Sequence, residues 1–182
     1  MSSLTDRMMG AARLDAATYN EVEKDTTATS QAMLVVALSA IAAGIGAGGG
    51  GVVGILGGTV VALVAWAAWA FVTYFIGTKL LAEPQTEADF GQLLRTIGFA
   101  ASPGILRVLG LIPGIGGLIA FAASLWMLAA TVIAVREALD YQSTGRAVAV
   151  CLIGFLIYMA IAITLGVTLG IAGAGMAAMA GG

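Results

Sequence analysis

GIGAGGGGVVGILGG, residues 44–58, contains Gly44-x-Gly46-x-x-Gly49, the spacing of a dinucleotide-binding loop. Such a loop needs an acidic residue roughly 20 positions on to hold the ribose hydroxyl. Here that region reads Ala65-Trp66-Ala67-Ala68-Trp69-Ala70, and no charged residue lies between Asp25 and Lys79. A phosphate loop of the Walker type fails as well, because no lysine follows the last glycine. What remains is a run of glycines between two long apolar stretches. Gly48 to Gly51 can adopt positive φ and turn the chain sharply. Beyond them Gly50, Gly54 and Gly58 recur every fourth position, a smooth stripe that lets helix backbones approach closely in lipid. The stretch therefore reads as a tight turn inside a membrane-spanning hairpin.

Composition supports this reading. The chain of 182 residues is 60% hydrophobic and 10% charged, with a mean hydropathy of +1.01. A soluble domain carries about 25% charged residues, so this sequence lacks the means to cover a water-facing surface. The net charge of -2 offers no basic face to a nucleic acid. There is no histidine, and the lone cysteine, Cys151, lies inside an apolar stretch. The usual zinc, haem and iron–sulfur ligand sets are thus missing, as is the commonest general base. We expect no cofactor, no metal and no enzymatic activity.

The fold expected is an all-α polytopic bundle of five transmembrane helices preceded by short N-terminal helices. Residues 1–30 form a charged cytoplasmic or interfacial segment whose interspersed acids exclude a signal peptide. Within it Leu4, Met8, Ala11 and Ala12 share one face, which suggests an interfacial helix, and Asp15 is placed to cap a second. The membrane domain, residues 31–182, is read as spans at about 31–46, 52–81, 97–111, 115–135 and 147–170. The third is short, covering about 22 Å at ~1.5 Å per residue against a ~30 Å core, and reads either as a crossing or as a re-entrant segment. Pro103 and Pro113 punctuate it.

The distribution of basic residues fits five crossings. With the N-terminus inside, Arg7, Arg13, Lys24, Lys79, Arg95, Arg136 and Arg146 all fall on the cytoplasmic side. Of the chain's 8 basic residues only Arg107 is left over. An ionisable group inside an apolar segment is a functional candidate by default. It either snorkels to the headgroups or lines a polar cavity. A second candidate is a cytoplasmic docking patch of Glu21, Glu23, Asp25, Arg136, Glu137 and Asp140, in which Arg136 and Asp140 form an i,i+4 pair. Gly166 and Gly170 continue the small-residue packing theme near the C-terminus.

Several short segments, in order and spacing, resemble the Yip domain family in its bacterial form. They are Leu14-Asp15, Tyr19-Asn20-Glu21-Val22-Glu23-Lys24-Asp25, Gln31-Ala32, Ser102-Pro103, Ile112-Pro113-Gly114-Ile115-Gly116, Trp126, Ala134-Val135-Arg136-Glu137-Ala138-Leu139 and Thr144-Gly145-Arg146-Ala147. The resemblance implies five spans, a cytoplasmic N-terminus and a C-terminus on the opposite side, here in a bacterial inner membrane. Eukaryotic members act in vesicle traffic with Rab GTPases. The Asp-Leu-Tyr-Gly-Pro motif typical of their cytoplasmic segment is absent here, which argues against a Rab-type partner. The function expected is that of a non-catalytic scaffold or accessory subunit of a larger membrane complex, in contact with the lipid bilayer and with membrane-protein partners or further copies of itself. The alternative is a small transporter or channel with a polar site around Arg107 and the proline-broken third and fourth spans.

Overall fold

The computed structural model describes residues 2–48 and 50–180, with side chains described as far as Thr164, Ala162 excepted. Among these residues all regular structure is helical. Two short helices, α1 (Leu4–Ala12) and α2 (Ala16–Lys24), form a hairpin. Ser3 and Asp6 make a reciprocal capping box at the start of α1, and the Asp15 carboxylate accepts from the Ala17 N–H at the start of α2. Ala11 is fully buried, and Leu4 and Met8 pack on the core. The hairpin belongs to the bundle because its polar side chains find partners there.

Helix α3 (Ala28–Gly46) begins inside the threonine-rich stretch, which lengthens the first span. The glycine run then turns the chain as expected, with φ of 65° at Gly48, 80° at Gly50 and 58° at Gly51. Helix α4 (Gly51–Phe75) returns and closes with a π-helical turn, Ile76–Leu80, in which Leu81 N–H donates to the Ile76 carbonyl at 2.9 Å. Helix α5 (Phe90–Ala100) follows, opened by an Asp89–Gln92 capping box. Then come a ten-residue 3₁₀ helix (Ser102–Leu111), α6 (Gly116–Ala138) and α7 (Thr144–Ala180).

Among the described residues four helices are long and apolar enough to cross a membrane: Ala28–Gly46, Gly51–Leu80, Gly116–Ala138 and Thr144–Ile161. The expected third span, residues 97–111, is not one of them. Its first residues end α5 and the rest form the 3₁₀ helix, with Pro103 in the first 3₁₀ turn. Proline lacks the N–H that α-helical hydrogen bonding would require of it, and the tighter 3₁₀ winding begins there. Pro113 lies in the following turn, where Gly114 takes φ 85°.

This broken segment nevertheless runs alongside α3 and in the same direction. Gly98 lies against Ala32, Gly104 against Ser39, and Gly110 against Gly46. Gly104 also faces Met127 of α6, and Gly116 faces the Gly110 backbone. The 3₁₀ helix is thus held between α3 and α6.

Candidate functional site

The two ends of the bundle are built differently. At the end that carries the glycine turn, backbones touch. A Cβ on Gly46 would overlap the Arg107 carbonyl, one on Gly110 would sit 2.7 Å from the Gly46 carbonyl oxygen, and one on Gly116 would overlap the Gly110 carbonyl. Each of these positions accepts only hydrogen. Gly50, Gly54 and Gly58, the stripe expected to pack, lie on the first part of α4. Gly54 and Gly58 are exposed, and a Cβ on Gly58 meets nothing within 4 Å. A Cβ on Gly57 likewise meets nothing within 4 Å. Gly166 and Gly170 lie outside the residues whose side chains and packing are described.

Between these glycines and the opposite end lies an apolar cavity of about 980 Å³. Its walls come from all the membrane helices, with Ser39 of α3, Trp66 and Trp69 of α4, Ala129 of α6, and Cys151 and Phe155 of α7 among them. Trp66 donates to the Leu94 carbonyl at 3.1 Å, and Trp69 meets Tyr158 edge to face at 6.5 Å, so both indoles are fixed. Arg107 also lines this cavity. Half-buried, it makes no ion pair and no side-chain hydrogen bond among the described residues.

The charged end is tied by side chains. Arg95, 5% exposed, donates from Nε to the Val22 and Glu23 carbonyls, each at 3.1 Å, and from Nη2 to the Glu23 carbonyl again. These last carbonyls of α2 lack helical partners, and a guanidinium is matched to them in charge and geometry. Arg7, 2% exposed, is clasped by Glu21 at 2.8 Å, Asp25 at 2.7 Å and Gln31 at 3.0 Å. The Thr27 hydroxyl, with Arg7 beside it, holds the Asp25 carboxyl down at about 2. The Tyr141 hydroxyl lies within hydrogen-bond distance of the Gly77 and Leu81 carbonyls, at 3.0 and 2.9 Å, on the π turn.

The expected docking residues are mostly consumed by these ties. Glu21 and Asp25 hold Arg7. Glu23 is 3% exposed, and its Oε1 accepts from Gln92 at 2.9 Å. Its Oε2 is buried with no partner. Burial above all, reinforced by Asp140, lifts the Glu23 carboxyl from the usual carboxylate range to about 7. Glu137 accepts from Asn20 at 2.8 Å and lies 3.1 Å from Arg136 Nε. The expected Arg136–Asp140 pair is not formed. Helix α6 stops at Ala138, and Asp140, at φ 53°, lies past its end instead of one turn along it. Of the six, Glu21 and Asp140 are exposed, and Glu21 is engaged with Arg7. Among the described residues no group of three or more Cys, His, Asp or Glu side chains is arranged to hold a metal ion.

Long apolar helices with a charged girdle at one end define a helical, multi-pass integral membrane protein. A family model for the Yip1 domain matches residues 16–164, and the chain belongs to that family. No curated protein and no solved structure matches the chain.

Proposed function

We propose that this Yip-domain protein is a non-catalytic scaffold or accessory subunit of a larger membrane complex. The observation that carries the reading is the first half of α4. Gly54, Gly57 and Gly58 are exposed there, beside exposed Val53, Leu56 and Val61. Each glycine inside a helix costs about 1 kcal/mol relative to alanine. Nothing in the described chain packs on Gly57 or Gly58 to offset that cost. A neighbouring transmembrane helix, from a partner or a second copy, supplies the close backbone approach such a face favours.

The same reading takes residues 90–111 as a crossing, because they run beside α3 from Ala32 to Gly46. Ten residues of 3₁₀ helix cover ~20 Å at ~2.0 Å rise, more than an α-helix of equal length. Five crossings then place seven basic residues, all but Arg107, on the cytoplasmic side of a bacterial inner membrane, with the C-terminus opposite. The transport reading has less support, since the cavity beside Arg107 is lined chiefly by apolar side chains.

The test is purification from native membranes in a mild detergent, comparing the parent with a Gly54→Ile, Gly58→Ile variant and weighing the intact assembly. A partner or second copy at fixed stoichiometry with the parent, absent from the variant, is the expected result. A lone monomer in both cases ends the proposal. Solute flux in liposomes that depends on Arg107 would restore the transport reading.

A further inference from the structure

The cavity and its arginine fit together in a way that the scaffold reading does not use. Arg107 lies four residues before the end of the 3₁₀ helix, so its backbone is about 8 Å along the axis from that end at ~2.0 Å per residue. It shares this level with Gly46, the last residue of α3, and hence with the glycine turn. Below it the cavity wall continues along α7 from Tyr158 down to Val148, ten residues or about 15 Å at ~1.5 Å rise. The lining along this run is aromatic, aliphatic and small. Of its four hydroxyls two are committed to their own helix, Ser124 donating to the Ala120 carbonyl at 2.9 Å and Thr131 to the Met127 carbonyl at 2.8 Å, which leaves Ser39 and Tyr158 as the other hydroxyls of the wall. At about 980 Å³ the cavity stands at the upper end of the ~300–1,000 Å³ range of ligand pockets.

A cation near the interface with a long apolar cleft beneath it is complementary to one kind of molecule: an anionic headgroup on acyl chains. We propose that the cleft is a binding site for one anionic glycerophospholipid, with its phosphate on the Arg107 guanidinium and an acyl chain between Trp66, Trp69, Ala129 and Phe155. A planar guanidinium matches phosphate oxygens two at a time, and a half-buried cation without a protein partner gains more from such a pair than an exposed one does. Basic pockets between transmembrane helices are recognised sites for lipid headgroups. The assignment does not depend on a protein partner, so failure of the scaffold reading leaves it standing.

Trp66 and Trp69 make the test direct. The full chain carrying Trp126→Phe, purified in detergent, is titrated with phosphatidylglycerol brominated along its acyl chains, and separately with phosphatidylcholine bearing the same chains. Bromine quenches an indole only at close contact. Half-maximal quenching is expected at about a fivefold to tenfold lower mole fraction of the anionic lipid. Arg107→Gln removes that preference and Arg107→Lys keeps most of it. Ala129→Phe, which fills the cleft and leaves the charge in place, removes high-affinity quenching by either lipid. Equal quenching by both lipids in the parent overturns the proposal, as does a preference that survives Arg107→Gln. Quenching by neither lipid, together with a dimer that persists on dilution, assigns the cleft to a second copy and overturns it too.

Discussion

At one end of this bundle three glycines let backbones meet, and at the other Arg95 and Tyr141 reach across to carbonyls of helix ends while Arg7 is clasped by side chains. The first kind of joint has no adjustable part. A methyl group on Gly46 strikes the Arg107 carbonyl, and the carbonyl belongs to a helix that is itself wedged against α6. The second kind depends on long side chains that rotate, on desolvated charge and, at Glu23, on pH. The difference teaches where the fold is rigid: its glycine end tolerates no added atom, whereas its charged end tolerates change in proportion to the bonds lost.

Substitutions can break or sharpen this contrast. The largest effect is expected from Gly46→Ala, a loss of about 3 kcal/mol, the upper range of overpacking, read as a lower midpoint in detergent-driven unfolding. Arg95→Met, which keeps the stem and removes the donors to Val22 and Glu23, is expected to cost about 2 kcal/mol in the same assay. Tyr141→Phe should cost about 1 kcal/mol, because its hydroxyl partners lie on a π turn near the bundle's edge.

The fourth effect depends on pH. The Glu23 carboxyl is raised from 4.5 to about 7 in the folded chain, so its protonated form favours folding. That contribution is complete below pH 4.5 and is lost as pH rises through about 7. Thermal unfolding should find Glu23→Gln and the parent alike at low pH, with the variant the more stable of the two above neutrality. A pH-independent difference would show that Glu23 is not titrating in place. Gly58→Ala is the smallest change, neutral or stabilising by up to about 1 kcal/mol in the isolated chain, since the new methyl meets open space. If Gly58→Ala were as damaging as Gly46→Ala in the isolated chain, the contrast between the two sets of glycines would collapse.

Much of this architecture was legible in the sequence, and the reasons are local. The positive φ at Gly48, Gly50 and Gly51, the Asp15 cap and the starts of α4 and α6 follow from neighbours in the chain. The close contacts were not legible, because a glycine's role depends on what comes to rest against it. Gly50, Gly54 and Gly58 have the regular spacing that advertises a packing face, whereas Gly46, Gly110 and Gly116 come from three separate segments and share no spacing. The ties at the charged end were not legible for a similar reason. Glu21, Glu23 and Asp25 look like a solvated acidic run until Arg7 and Gln92 are brought to them from other helices. Arg107 was legible as unusual, and the cleft beside it was not, since six elements of the chain build its walls.

The 3₁₀ helix has a consequence for the order in which the chain is made. It is wedged between α3, which precedes it by more than fifty residues, and α6, which follows it. At the moment of its synthesis only the first wall exists. Alone it is a ten-residue stretch interrupted by Pro103 and Gly104, too short and too poorly hydrogen-bonded to hold a place in lipid by itself. Its final position therefore waits for α6: the segment is set in place only once the helix that follows it has been made.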